Sequence, residues 1–104
     1  MSTTDQMGEF ISLQEASEMT ARYRATIQPG ETIAVAGSKA IFEQILAQPG
    51  CEGLRMYFAI ESDGTKTLVV TGIDSVENDM CSGLIAEKFG PCPKRCAEPN
   101  ELNS

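Results

Sequence analysis

The chain of 104 residues has no histidine and no tryptophan, and only eight Lys and Arg stand against fifteen Asp and Glu. Without histidine there can be no Ser-His-Asp or Cys-His nucleophile system and no His-ligated zinc, and the commonest general acid–base residue is absent. Any catalysis would have to run on Cys, Lys, Tyr or carboxylates. The shortage of basic residues argues against nucleic acid, because neutralising phosphates needs a basic patch. The only adjacent basic pair is Lys94-Arg95, with Arg22 and Arg24 two apart on an expected helix. No apolar run approaches the ~18 residues of a membrane-spanning helix. Met1 to Phe10 shows neither the basic nor the apolar region of a signal peptide. The expectation is a cytoplasmic protein with no nucleic-acid or membrane partner, its cysteines held as thiols or metal ligands rather than disulfides.

What is present suits one small acidic domain. Hydrophobic residues make up 41% and the net charge is −7. A chain this size buries roughly 60–70% of its unfolded surface and can fold without obligatory staples. The negative balance is an ordinary solubility device, and it also favours a basic protein partner over an acidic one.

Along the chain, residues 1–10 read as a flexible polar arm, 11–90 as a single domain and 91–104 as a Cys/Pro-rich tail docked on it or trailing from it. Ser12 with Glu15 forms a capping box, and Leu13, Ala16, Met19 or Thr20, and Tyr23 lie on one face of a helix from 13 to about 26. Pro29-Gly30 ends it. A short strand is expected over 32–36, then a helix from Lys39 to about Gln48, capped by Ser38 and closed by Pro49-Gly50. Asp63-Gly64 between alternating runs predicts a hairpin, 54–61 with 66–73. Met80 to Phe89 suits a short helix. The fold class is α+β: two helices packed on a small antiparallel sheet built around that hairpin, with an extended Cys/Pro-rich tail.

A two-residue turn at Asp63-Gly64 would pair residues whose numbers sum to 127, matching Glu61 with Lys66. One face would then carry Leu54, Met56, Phe58 and Ile60 with Thr67, Val69, Thr71 and Ile73, as core. The other would carry Arg55, Tyr57 and Ala59 with Leu68 and Val70. That second face is too apolar to sit bare in water, so either another part of the chain covers it or it is a surface for a protein partner or a homodimer. Arg55, Tyr57, Ala59, Leu68 and Val70 are the candidate partner-binding residues.

The remaining chemistry lies in four cysteines. Cys92-Pro-Lys-Arg-Cys96 could form one side of a zinc site completed by Cys51 and Cys81, the one cofactor the sequence suggests. Lys94 and Arg95 would instead favour reactive thiolates, although Cys-x-x-Cys redox sites sit at helix N-termini after a strand. In an oxidising compartment Cys92 and Cys96 could join in a disulfide. The plainest reading makes Cys51 and Cys81 small buried hydrophobes and the tail cysteines surface anchors. Ala36-Gly37-Ser38-Lys39 lacks the spacing of a phosphate loop, and Asp74, Glu77 and Asp79 do not follow a calcium-loop template. No recognisable catalytic motif remains, and a non-enzymatic binding or regulatory domain is the expectation.

Ile11-Ser-Leu-Gln-Glu15-Ala, Met19-Thr20 with Tyr23-Arg24, Gly50-Cys51 before Leu54-Arg55-Met56-Tyr57, and Pro91-Cys92-Pro93 with Cys96 together resemble a family of small uncharacterised bacterial proteins. The resemblance spans most of the chain from residue 11 and brings no activity with it. It implies that Cys51, Cys92 and Cys96 belong to a common pattern and that Cys81 stands outside it.

Overall fold

Ser12 opens the first helix as its sequence anticipates. Its hydroxyl accepts from the Glu15 amide at 3.0 Å and donates to the Glu15 carboxylate at 3.3 Å, so the capping box closes between side chains. Helix α1 (Leu13–Arg24) follows. The structure is a computed structural model that describes residues 7–104; of the arm expected at 1–10, residues 1–6 lie outside it. Beyond α1, Pro29-Gly30 sits in a turn closed by the Glu31 amide on the Gln28 carbonyl, with Gly30 at φ +90°. Pro followed by a residue of positive φ is the type II pattern, and Pro49-Gly50 repeats it after the second helix with Gly50 at +84°.

The chain then forms β1 (Ala34–Ala36), α2 (Lys39–Leu46), β2 (Gly53–Ile60), β3 (Lys66–Ile73), β4 (Ile85–Ala86) and β5 (Gly90–Cys92). Ser38 caps α2 by accepting from the Ile41 amide. The class is α+β, with two antiparallel sheets, β1-β5 and β2-β3-β4. Met80 to Phe89 holds no helix; it follows a bridge between Asp79 and Ile73 and contains strand β4. Backbone pairing with β3 is available to this segment, and Ser82-Gly83 weakens a helix.

These elements gather into two compact units. One joins Met7 to Gly37–Phe89; the other joins Gly8–Ala36 to Gly90–Ser104. The expected tail is thus part of a unit, with β5 pairing to β1. In the first unit α2 packs on β2 and β3; Ile45, Val70, Thr71 and Ile73 are buried, with Val70 on one face of the β2–β3 pair and Thr71 and Ile73 on the other. Phe42 and Phe89 stack at 5.8 Å. A Cβ on Gly37 would come within 2.6 Å of Phe42 and 2.7 Å of Phe89, so these rings require glycine there. The second unit buries little. Helix α1 buries no residue, Cys92 is the unit's one buried hydrophobic side chain among the described residues, and Ile33 donates to the Cys92 carbonyl at 2.8 Å.

Candidate docking surface on the hairpin

The hairpin register differs from the expected one. Glu61 donates to the Thr65 carbonyl, Gly64 donates back to Glu61, and Gly64 lies at φ +93°. This is a three-residue loop, Ser62-Asp63-Gly64, closed as a type I turn with a glycine bulge. Asp63 stabilises it by accepting from the Thr65 amide at 2.9 Å, and that bond is the main reason its carboxyl titrates below the ordinary range. The extra loop residue makes opposed residues sum to 126: Ile60 faces Lys66, Phe58 faces Leu68, and Met56 faces Val70. A one-residue slip turns every β3 side chain to the other face.

The slip splits the expected patch. Arg55, Tyr57 and Ala59 share one face with Thr71, Val69 and Thr67, whereas Leu68 and Val70 lie on the opposite face with Phe58 and Met56. Val70 is core, 1% exposed. Five residues proposed as one surface are therefore two groups, back to back.

On the Arg55 face, which also carries the buried Thr71 and Ile73, the polar groups are tied to one another. Arg55 Nη1 donates to Asp79 Oδ1 at 2.6 Å and to the Glu77 carbonyl at 3.1 Å, and the Tyr57 hydroxyl donates to Asp79 Oδ2. The two hydrogen bonds, Tyr57 first, hold the Asp79 carboxyl below its usual range; the same bonds raise the pKa of Tyr57 and of Arg55. A carboxyl with a depressed folded-state pKa stabilises the fold fully above its unfolded pKa, and that contribution fades as pH falls through the folded value. At the hairpin tip the Glu61 and Glu87 carboxyls share a hydrogen bond, which raises Glu61 and lowers Glu87, and Thr67 donates to Glu87 at 3.3 Å.

The opposite face is apolar and partly open. At one end a Cβ on Gly72 would lie 2.8 Å from Cys51 Sγ and 3.2 Å from Gln48 Nε2, so the chain leaving α2 covers this end. Gln48 fastens that cover, donating to the Ile45 carbonyl and accepting from the Leu84 amide. Toward the tip the cover stops. Met56 is 53% exposed, Ile60 71% and Phe58 95%. Lengths explain this: an eight-residue helix is about 12 Å long, and an eight-residue strand about 26 Å. The sequence predicts these three side chains as core; they share a face as expected, but they are exposed, because the cover is shorter than the strand.

Among the described residues the edge of β2 is unpaired as well. Glu61 bonds to Thr65, so by antiparallel alternation the odd-numbered residues of β2 bond to β3. On β3 the even positions serve the far side: Gly72 accepts from Met80, and Asp74 donates to Asn78. The backbone groups of Leu54, Met56, Phe58 and Ile60 therefore point away from the sheet, and β2 is its terminal strand.

The cysteines do not form the four-thiolate zinc set. Cys92 and Cys96 are joined to each other, while Cys51 is a half-buried free thiol and Cys81 an exposed one. Sulfurs spent on a disulfide are not thiolate ligands. Among the described residues no three His, Cys, Asp or Glu side chains converge as a metal site. The Cys51 thiol donates to the Gly53 carbonyl at 3.3 Å and packs against Gly72, a structural role. In the acidic loop, Asp74 accepts from the amides of Val76 and Asn78, and Asp79 serves Arg55 and Tyr57. The sequence suggests Asp79 only as part of a calcium loop; the signal for its real role is Arg55, a charge in a strand that needs a carboxylate.

The second unit carries a cleft of about 230 Å³ lined by Met19, Thr20, Tyr23, Arg24, Ile33 and Leu102. Arg24 closes one side of it, donating to the Leu102 carbonyl at 2.5 Å and to the Ser104 carbonyl at 2.8 Å. No protein-family model, curated protein or solved structure matches the chain. No helix among the described residues is long and apolar enough to cross a membrane.

Proposed function

We propose that the protein is a small non-enzymatic binding domain that docks a protein partner through the apolar face and open edge of β2. The observation that carries this reading is Phe58, 95% exposed on a regularly paired strand, with Ile60 and Met56 beside it on the same face. Aromatic side chains held rigidly at a surface supply the anchors of protein interfaces. An edge strand with outward backbone groups accepts an extended segment by strand addition, its main chain giving affinity and its alternate side chains giving selectivity. The absence of histidine and the mutual pairing of Arg55, Tyr57 and Asp79 support binding over catalysis.

Replacing Phe58 or Ile60 by Asp tests the reading. The thermal midpoint should stay within about 2 °C of the parent while binding of a hydrophobic dye falls; a drop of about 5 °C or more would mark these residues as core and remove the surface.

The cytoplasmic location expected from the sequence and the disulfide pull apart, since cytosolic thiols are kept reduced. Counting free thiols in protein purified without reductant decides: two match the disulfide, four match the cytoplasm.

A further inference from the structure

We infer that the strand which docks on β2 is β2 of a second copy, paired antiparallel across a two-fold axis at Tyr57. The inference rests on the docking reading above and adds the occupant and its register.

Natural edge strands are guarded by Lys, Pro, bulges or a covering loop. Between Gly53 and Ile60 this strand carries no Pro and no Lys, and its single charge, Arg55, is drawn across the sheet to Asp79. Antiparallel addition requires the outward-facing residues of each strand to oppose one another. With the axis at Tyr57 they do: Met56 meets Phe58 of the second copy, and Leu54 meets Ile60. Both pairs fall on the apolar face, so the most exposed side chains of one copy cover those of the other.

The polar face agrees in charge. Arg55 then stands opposite Ala59 of the second copy and diagonal to its Glu61, a separation of about 7–8 Å that long side chains bridge. Symmetry supplies this pair twice. Arg55 uses one nitrogen, Nη1, for both of its bonds within the chain, which leaves guanidinium donors for a further carboxylate. Glu61, whose pKa is raised chiefly by its hydrogen bond with Glu87, gains a cation. Between these contacts the strand offers no like charge to its copy, although each chain is −7 overall.

Sedimentation equilibrium of the full chain from about 1 to 300 µM tests this. The expected mass rises from one chain to two. Phe58→Pro should hold the mass at one chain, because it deletes an amide that points outward and is not used by β3. Phe58→Asp, which leaves the backbone intact, should do the same, so a folding defect in the proline variant does not decide the outcome. Glu61→Arg should weaken the dimer about tenfold by facing Arg55. A mass of one chain throughout overturns self-pairing, and the docking reading is then judged separately by the melt of Phe58→Asp. A dimer that tolerates Phe58→Asp uses another surface, and one indifferent to Glu61→Arg has another register.

Discussion

The Gly37–Phe89 unit and the unit joining Gly8–Ala36 to Gly90–Ser104 are ordered by different means. The first buries side chains on both faces of its hairpin: Ile45, Val70 and Ile73 are each no more than 2% exposed, and Thr71 is buried as well. The second has staples. Its helix buries nothing; its two segments are tied by the β1–β5 ladder and the bonds from Arg24 to Leu102 and Ser104, and the disulfide closes a short ring within Gly90–Ser104. Burial leaves a surface rigid enough to present an exposed phenylalanine on a fixed backbone, whereas staples hold segments without a packed interior. The proposed docking function therefore belongs to the first unit.

The comparison can be broken by removing each unit's own support. Ile45→Ala should cost about 2–5 kcal/mol in chemical denaturation, the usual range for emptying a packed aliphatic site. A loss below about 1 kcal/mol would mean that Ile45 is not core. Cys96→Ser should cost about 2 kcal/mol, the loop-closure entropy of so short a ring. Its signature should be local: faster amide exchange at Ile33 and Arg95, which donate to Cys92 and Pro91, with Tyr57 unchanged. Equal acceleration in both units would show that the disulfide supports the whole chain.

Much of this fold was legible locally. Ser12 and Ser38 cap the helices they were expected to cap, a Pro-Gly turn follows each helix although α1 already ends at Arg24, and the hairpin strands fall within one residue of expectation. The register was not legible, because Asp-Gly suits both a two-residue loop and a three-residue loop with a glycine bulge. Only the Asp63–Thr65 bond and the Glu61–Thr65 closure distinguish them. That single residue moved Leu68 and Val70 to the other face and dissolved the expected patch. Strand β4 and the role of Asp79 were hidden for a different reason: both depend on partners far away in sequence, Val70 with Thr71 and Arg55 with Tyr57. The partnership of Cys92 with Cys96 runs against the expectation of thiols or metal ligands and was open only for an oxidising compartment, since spacing alone does not report the redox state.

Residue-resolved amide exchange of β2 in dilute protein tests the central claim most directly. An open edge in the 126 register predicts alternation: slow exchange at Arg55, Tyr57 and Ala59, which bond to β3, and fast exchange at Met56, Phe58 and Ile60. Uniform protection along the strand would mean that the edge is already covered, and the reversed pattern would mean that the register, and with it the surface, is wrong.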